Sequence, residues 1–203
     1  MIAIIDYDAG NIKSVEKAVQ FLGEEAIITR DRDVIMDSSG VILPGVGSFG
    51  DAMGKINEYG LKNVIYDVVD SGKPFLGICL GLQLLFKTSE ETPGVTGLGI
   101  VDGQILRIPD APGLKIPQIG GNSLDINPKA RLFKGLPEHP YVYFVHSYYL
   151  KADHEEDVAA STFYSTNIHA SIEHGNVFAC QFHPEKSSTV GLQILKNFIE
   201  LEA

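Results

Sequence analysis

One stretch, Lys73–Phe86 with the sequence KPFLGICLGLQLLF, most constrains what this chain can fold into. The short apolar run Pro74–Ile78 is typical of a buried strand, and the apolar residues from Leu80 onward predict that a buried helix follows at once. Between them stands Cys79, with a glycine two positions away on each side, which is the G-x-nucleophile-x-G pattern of a sharp strand-to-helix turn. Glycines are needed there because larger side chains would collide with neighbouring backbone.

Cys79 in such a turn has two interpretations. The amino end of a helix would stabilise a reactive thiolate, whereas free cysteines are more often small, buried core residues. A histidine is needed to make the catalytic interpretation specific. The apolar run Val177–Phe182 predicts a strand that delivers His183 and Glu185 to the edge of a sheet, where active-site residues of open α/β folds collect.

Cys79, His183 and Glu185 together predict a nucleophile, a general base and a group that orients the base. His183 would first hold the thiolate as an ion pair and then protonate the leaving group. The predicted reaction is acyl transfer through a thioester, with water as the second acceptor. A lone histidine at a strand end is more often structural, so the prediction depends on the three residues meeting in space.

A second informative stretch, Leu43–Gly50 with the sequence LPGVGSFG, follows another predicted strand. Its glycines would let backbone amides approach a ligand closely. A phosphate cradle is one interpretation, but the lysine of a P-loop is absent. The alternative is an oxyanion hole in which the amides of Val46 or Gly47 act together with the amide of Leu80. A plain glycine-rich loop is the third possibility.

The composition restricts the class of protein. A formal net charge of -10 argues against a general binder of nucleic acid or of anionic membranes. Two cysteines give no disulfide framework and suit a reducing cytoplasm. The first residues lack the features of a signal peptide, and no apolar stretch is long enough to span a bilayer. We expect a cytoplasmic, single-domain protein over residues 1–203, without metal or cofactor.

Alternating strand and helix patterns in the first half predict an α/β fold with a mostly parallel central sheet and helices on both faces. Short strand-like runs from Ile100 to about Val177 predict a smaller antiparallel or mixed extension of the sheet. Predicted helices cover Ile12–Leu22, Leu61–Asp70 and the last apolar stretch, which Ser187 or Ser188 would cap. The predicted strands are Ile2–Ile5, Ala26–Thr29, Val41–Leu43, Pro74–Ile78, Gln104–Ile108, Ile116–Ile119, Tyr141–Val145, Ala159–Tyr164, Ile168–Ile172 and Val177–Phe182.

Several stretches resemble the class I (triad-type) glutamine amidotransferases, and in particular the glutaminase subunits of imidazole glycerol phosphate synthase. They are IIDYDAGNIKSV near the start, LPGVGSFGDAM at 43–53, PFLGICLGLQLLF at 74–86, YFVHSYY at 143–149 and QFHPEKS at 181–187. The resemblance covers nearly the whole chain. The cysteine turn and the H-P-E sequence are shared by the whole class, and PGVGSFGDAM and VHSYY are specific to this subunit.

The resemblance implies a flavodoxin-like three-layer fold and hydrolysis of glutamine to glutamate and ammonia. It also implies a heterodimer with a (β/α)8-barrel cyclase, which uses the ammonia to make imidazole glycerol phosphate and aminoimidazole carboxamide ribotide in histidine biosynthesis. The positions that resemble glutamine-holding residues are Gly45, Gly47, Gln83, His146, Ser147 and Tyr148. Those that match the cyclase side are Asn11, Asn122 and Lys186.

Two departures from the family pattern concern the partner. The family usually reads P-H-x-G-W-N where this chain has Gln118 in place of histidine and Gly121 in place of tryptophan. A buried interface aromatic can contribute about 2 kcal/mol or more to binding, so Gly121 bears on partner affinity. The PGVG sequence further suggests that a peptide flip is needed to form the oxyanion hole, so that the glutaminase would be weak without the cyclase.

Three other functions are weighed against this one. A paralogous amidotransferase subunit could supply ammonia to a different synthase, and the change at Gly121 keeps that alternative open. A binding or regulatory module that no longer turns over is disfavoured because all three triad positions are present. An intracellular peptidase with a similar cysteine turn is also disfavoured, since such peptidases commonly place their histidine directly after the cysteine, where this chain has Leu80.

Overall fold

The computed structural model describes residues 1–202 and contains thirteen strands and six α-helices in that range. The strands are β1 (Ile2–Ile5), β2 (Ala26–Thr29), β3 (Gly40–Leu43), β4 (Phe75–Ile78), β5 (Thr88–Ser89), β6 (Gly103–Arg107), β7 (Gln118–Ser123), β8 (Asp125–Ile126), β9 (Tyr141–His146), β10 (Tyr148–Ala152), β11 (Val158–Tyr164), β12 (Thr166–His174) and β13 (Val177–Cys180). The helices are α1 (Ile12–Phe21), α2 (Arg32–Asp37), α3 (Phe49–Glu58), α4 (Leu61–Asp70), α5 (Leu80–Gln83) and α6 (Ser188–Ile199).

An eight-stranded sheet in the order β2-β1-β3-β4-β13-β12-β11-β8 forms the centre of the fold. Its first five strands are parallel, and β12, β11 and β8 continue it in antiparallel fashion. Two smaller sheets, β10-β6-β5 and β7-β9, complete the second half of the chain. The predicted α/β class, with a mostly parallel sheet and an antiparallel or mixed extension, is confirmed.

Both faces of the parallel strands are covered, as their continuous apolar sequences predict. On one face, Ile2 and Ile4 pack in a core that includes side chains of α1 and α6. On the other face, Ala3 and Ile5 pack in a second core that includes side chains of α2, α3 and α4. Alternate residues of a strand point to opposite faces, so one short strand serves both cores. The result is a helix–sheet–helix arrangement of three layers.

The turn after β4 is as sharp as the glycine spacing predicts. A Cβ atom on Gly81 would lie 1.9 Å from the carbonyl oxygen of Leu43, and one on Gly77 would lie 2.6 Å from the carbonyl oxygen of Gly81. Cys79 itself has φ 56° and ψ −111°, a conformation that residues other than glycine rarely adopt. This strain at Cys79 is the local cost of presenting its side chain beyond the sheet.

The prediction of a helix that continues through Phe86 is wrong, because α5 ends at Gln83. Leu84, Leu85 and Phe86 are all fully buried. Three consecutive side chains cannot share one face of a helix, so the chain leaves the helix to bury all of them. The apolar run therefore becomes a tightly folded turn rather than a second and third helical turn.

Other boundaries differ in the second half of the chain. The strand expected at Ile116–Ile119 lies later, at Gln118–Ser123, and the strand Tyr148–Ala152 was not predicted. The expected cap of the last helix is also wrong. Ser187 occupies the position before α6 but makes no capping bond, because its hydroxyl donates to the carbonyl of His183 and accepts from the amide of Tyr143.

The carboxyl ends of β1, β3, β4 and β13 meet at one edge of the central sheet, since these strands are parallel. The segments that leave this edge are the loop after Ile5, the loop after Leu43, the turn at Cys79 and the His183 segment. Over residues 1–202, no helix combines the length and hydrophobicity required to cross a lipid bilayer.

Candidate active site

Cys79 and His183 follow adjacent parallel strands, β4 and β13, and this adjacency brings them together. The register pairs Ile78 with Cys180, and the backbone amide of Cys79 donates to the carbonyl of Cys180 at 2.7 Å. The side chains of Cys79 and His183 are nearly buried, with residue exposures of 7% and 2%. The structure thus places the two predicted residues at the same point of the sheet edge.

The third predicted residue, Glu185, forms a hydrogen bond with the His183 ring. The imidazole Nδ1 lies 2.6 Å from Oε1 of Glu185, and both side chains are 2% exposed. A carboxylate can only accept, so Nδ1 carries the hydrogen and Nε2 faces the sulfur side. Nε2 has no hydrogen-bond partner, and no bond of normal geometry joins it to the thiol. The ring is therefore oriented with its free nitrogen available for a proton transfer.

The electrostatics of His183 favour the charged imidazolium. Burial lowers the pKa of His183, but the Cys79 and Glu185 side chains more than offset this effect and raise it to about 9. An opposite charge nearby favours the charged form of a titratable group. At neutral pH the imidazole is thus protonated when the Cys79 sulfur beside it is a thiolate, the ion pair expected of an activated cysteine.

Replacing Glu185 with glutamine is expected to lower the pKa of His183 below about 9, because the carboxylate is one of the two groups that raise it. The glutamine oxygen still accepts from Nδ1, so the ring keeps its orientation. NMR titration of the His183 ring protons measures the change. A raised histidine pKa stabilises the fold below its unfolded value of about 6.5, and this contribution is lost as the pH rises through about 9. The stability deficit of the variant should therefore shrink across that range.

Glu155→Gln provides the matched control, because that carboxylate is exposed and lies 3.8 Å from a different histidine, His169. It should leave the His183 titration unchanged. An unaltered His183 pKa in Glu185→Gln would contradict the assigned electrostatic role.

A cavity of about 330 Å³ opens above Cys79. It contains all but one of the predicted glutamine-holding residues, and Gly45 is the exception. Its lining residues are Val46, Gly47, Cys79, Leu80, Gln83, Glu91, Pro117, Val145, His146, Ser147 and Tyr148. A larger groove of about 640 Å³ is lined by residues 125–131 and 133–139 and contains none of the predicted site residues. The smaller cavity is therefore the candidate active site, because the predicted nucleophile Cys79 lines it.

The predicted oxyanion hole is not open in this conformation. The amide of Leu80 donates to the carbonyl of Gly45 at 3.2 Å, so it is not free to bind a negatively charged oxygen. Gly45 thus blocks one of the predicted donors instead of lining the cavity. Gly47 has φ +106°, which side chains rarely permit, so its peptide can take orientations closed to other residues. We refer to Pro44–Gly47 as the oxyanion loop.

Tyr7 anchors the oxyanion loop from below. Its buried hydroxyl donates to the carbonyl of Pro44 at 2.5 Å. Burial, and secondarily the nearby Cys79, raises the pKa of Tyr7, so the hydroxyl stays protonated and remains a donor. On the outer side, the Cβ position of Gly10 lies 3.1 Å from the side chain of Val46. The loop that follows β1 therefore holds the oxyanion loop at Pro44 and passes close to it at Val46.

His146 lines the cavity as a neutral imidazole. Burial is the main cause that lowers the pKa of His146 to about 4, and the charge of His183 acts in the same direction. The hydrogen bond to the backbone of Tyr148 acts in the opposite direction but is outweighed. Nδ1 lies 2.8 Å from the carbonyl oxygen of Tyr148, which can only accept, so Nδ1 carries the hydrogen. Nε2 lies 2.7 Å from Oε1 of Gln118. Because Nε2 of the neutral ring can only accept, the Gln118 amide must exchange its Oε1 and NH₂ positions to donate to it. Gln118 thereby supplies a hydrogen-bond partner at the position where the family has histidine.

Three residues at the site were missed by sequence reasoning. Gln181 donates toward the Cys79 sulfur at 3.8 Å, and Tyr7 holds Pro44. Glu91 lines the cavity, and its carboxylate accepts from the amide of Phe49 at the start of α3 at 2.7 Å. The two-residue spacing of Gln181 and His183 was the available sequence signal, because alternate residues of an extended chain share one side.

Two of the residues predicted for the partner side, Asn11 and Lys186, lie in segments that leave this edge of the central sheet, and the third, Asn122, lies on β7. Asn11 and Lys186 are exposed, and the side chain of Asn122 donates to the carbonyl of Phe163 at 3.1 Å. Beside Asn122, Gly121 leaves an open position whose nearest neighbour is the ring of Tyr141, 3.6 Å from where a Cβ would stand. Tyr141 is 68% exposed, so this surface still presents an aromatic side chain.

The fold and a buried Cys–His–Glu site together define a triad-type amidotransferase, and the comparisons agree. The model of the class-I glutamine amidotransferase family matches residues 3–201, and the chain belongs to that family. A solved structure described as a glutamine amidotransferase has a TM-score of 0.77 at 22% identity, covering 98% of both chains. The protein is therefore an enzyme subunit of the glutaminase type.

Within the class, the chain belongs with the HisH subunits of imidazole glycerol phosphate synthase. The HisH subunit of Moorella thermoacetica is 49% identical over 200 residues, which cover 98% of this chain and 94% of that relative. The HisH subunit of Methanothermobacter thermautotrophicus is 46% identical over 201 residues, covering 99% of this chain and 98% of that relative. The alternative of a paralogous subunit for another synthase is not favoured.

Proposed function

We propose that this chain hydrolyses glutamine to glutamate and ammonia at Cys79 and supplies the ammonia to the cyclase subunit of imidazole glycerol phosphate synthase, its partner in a heterodimer. The observation that carries the proposal is the buried Cys79–His183–Glu185 arrangement at the base of a cavity of about 330 Å³. Similarity to HisH subunits over nearly the full length supports the identity of the synthase and its place in histidine biosynthesis.

The first half of the reaction forms a thioester. The Cys79 thiolate attacks the side-chain amide carbon of glutamine, and the carbonyl oxygen becomes negatively charged. As the C–N bond breaks, Nε2 of His183 gives its proton to the departing nitrogen, which leaves as ammonia. Glu185 keeps the imidazolium oriented and stabilises its charge from the opposite side of the ring.

The second half of the reaction releases glutamate. Neutral His183 removes a proton from water, and the resulting hydroxide attacks the thioester carbonyl carbon. The C–S bond then breaks, the Cys79 thiolate is regenerated and His183 is again protonated, so that protons and charges balance over the cycle. The carboxylate of Glu91 in the cavity wall is opposite in charge to the α-ammonium group of glutamine and is suited to bind it.

Access to the transition state requires a change in the oxyanion loop. While the Gly45 carbonyl accepts from the Leu80 amide, the developing oxyanion lacks one donor and faces a carbonyl oxygen instead. Rotation of the loop peptides would free Leu80 and turn an amide of Val46 or Gly47 toward the oxyanion. Exposed Asn11 and the proximity of Gly10 to the Val46 side chain offer a route by which a docked cyclase could favour that rotation.

The isolated chain is expected to release glutamate slowly and to be stimulated on the order of 100-fold by the cyclase with its nucleotide substrate, because one oxyanion donor contributes about that factor. The measurement is glutamate formation from glutamine with and without the partner. Cys79→Ala, which should stay inactive in both mixtures, is the control. Full activity of the isolated chain would contradict the closed oxyanion loop.

We place the subunit in the cytoplasm. Both cysteines in the described range are free, and the proposed reaction needs Cys79 in its reduced form, which a reducing compartment preserves.

A further inference from the structure

A continuous series of buried side-chain amides lies beneath the cavity. Nε2 of Gln83 is 3.2 Å from the carbonyl oxygen of Tyr148 and 3.1 Å from Oε1 of Gln181. Nε2 of Gln181 is in turn 3.8 Å from Sγ of Cys79. Gln83 is 5% exposed and Gln181 is fully buried, so water does not compete for these bonds. The series connects a wall of the cavity to the reactive sulfur.

The direction of every bond in this series is fixed at its first member. The Tyr148 carbonyl can only accept, so Gln83 must present its NH₂ group to it. The second hydrogen of that NH₂ group points to Gln181, which must therefore present its carbonyl oxygen. The NH₂ group of Gln181 is then left facing Sγ. The sulfur is the last acceptor in the series, and an amide cannot be turned around without breaking two bonds.

A thiolate accepts such a bond better than a thiol does. Hydrogen bonds to an ionised partner are roughly twice as strong as those between neutral groups. Two titratable groups lie beside Cys79: His183, with Glu185 behind it, and Tyr7, whose hydroxyl is held by Pro44. Glu91 and neutral His146 line the same cavity. Of these, His183 favours the thiolate through its charge. Gln181 adds a neutral donor that remains in place when His183 gives up its proton.

We propose that Gln181 stabilises and positions the Cys79 thiolate, and that through Gln83 it ties the sulfur to the backbone of Tyr148 in the cavity wall. This inference rests on the proposed role of Cys79 as the nucleophile. It assigns to Gln181 a function in both half-reactions, because Gln181 donates to the thiolate before it attacks glutamine and again when the C–S bond of the thioester breaks beside protonated His183. Because Gln181 does not line the cavity, it acts on the sulfur and not on bound glutamine.

The test is the pH dependence of iodoacetamide alkylation of Cys79 between pH 5 and 9, read by mass spectrometry of the Cys79 and Cys180 peptides. Gln181→Met keeps the length of the side chain and removes the donor. The midpoint of the profile should rise by about one pH unit, so that the rate below the midpoint falls about tenfold. In glutamine hydrolysis, kcat should fall while KM changes less than about twofold.

Cys180 and Gln193 supply the controls. Cys180 is fully buried and becomes alkylated only if the fold opens. Gln193→Met removes a glutamine from α6 that bonds only to Asn197, so its profile should match the wild type. A Gln181→Met midpoint within about 0.3 pH unit of the wild type, with Cys180 unlabelled, would overturn the proposal.

A measurement on the unaltered protein decides the case if Gln181→Met exposes Cys180. With ¹⁵N-labelled glutamine, the side-chain NH₂ signal of Gln181 should shift with the same midpoint as the alkylation profile, and absence of that shift would refute the contact. Alkylation needs no glutamine, so an inactive wild-type enzyme would count against the proposed function while leaving the role of Gln181 to be judged separately.

Discussion

Cys79→Ala should reduce partner-stimulated glutamine hydrolysis by about 10⁴-fold or more, since removal of a nucleophile leaves only catalysis by binding and by the oxyanion hole. The structure gives the physical reason. Cys79 is the one thiol that faces the cavity and has both a charged histidine and an amide donor beside its sulfur within the described residues. Glutamate release at saturating glutamine is the measurement, and glutamine binding should survive because the other cavity residues are untouched.

Cys180→Ala is the matched control for this substitution. Cys180 lies on the adjacent strand β13, where it pairs with Ile78, and it is fully buried, which raises its pKa. It therefore remains a neutral thiol in the core. Its loss should cost about 1 kcal/mol of stability through a small cavity and should leave the activity per folded molecule intact. Equal loss of activity in both variants would refute the assignment of Cys79 as the nucleophile.

Gly81→Ala should both destabilise the fold and abolish activity. The added Cβ would lie 1.9 Å from the carbonyl oxygen of Leu43, far inside van der Waals contact with backbone that cannot rotate away. Either β3 or the turn at Cys79 must move, and we expect a loss of about 3 kcal/mol, the upper range for overpacking. Urea unfolding measures the stability. The small gain in helix propensity from alanine is outweighed by this clash.

Gly54→Ala is the corresponding control in α3. Nothing lies within 4 Å of its Cβ position, so alanine should leave stability unchanged or raise it by up to about 1 kcal/mol. If Gly81→Ala were as stable and active as Gly54→Ala, the close approach of the turn to β3 would have no energetic importance.

Much of the fold could be predicted because the informative patterns are local. The apolar runs of β1, β3 and β4 are short, are separated by helical patterns and carry no polar interruption, which indicates parallel strands buried on both faces. The glycines around Cys79 predicted the turn, because a close backbone approach leaves no other residue type. These features depend on a few neighbouring residues and not on the rest of the chain.

The errors arose where long-range packing decides the structure. Whether Leu84–Phe86 continues a helix depends on which surfaces are available to bury three consecutive side chains, and those surfaces come from distant segments. Serine is a residue type that often caps helices, yet the Ser187 hydroxyl bonds instead to the carbonyl of His183 and the amide of Tyr143. Strand β10 was missed because its pairing with β6 lies 41 or more positions away in the chain, from Arg107 to Tyr148.

The candidate site shows the same division. Cys79, His183 and Glu185 could be named from their spacing and their positions at strand ends, and the structure brings them together. The bond between Leu80 and Gly45 could not be foreseen, because it reflects one choice of peptide orientation in a loop that permits several. Gln181 and Tyr7 were missed since a buried amide or hydroxyl is informative only when its bonding partners are known.

The oxyanion loop lies between two fixed points. Below it, the Leu43 carbonyl is packed on Gly81 and the Pro44 carbonyl is held by Tyr7. After it, Ser48 caps the start of α3, and its side chain accepts from the amide of Asp51.

Only three peptide units separate these anchors, so the rearrangement involves no helix, strand or domain. Motions of this size take nanoseconds to microseconds, which is short compared with enzyme turnover. In the function proposed above, the timing of ammonia release would therefore follow the lifetime of the partner's substrate-bound state and not the speed of the loop.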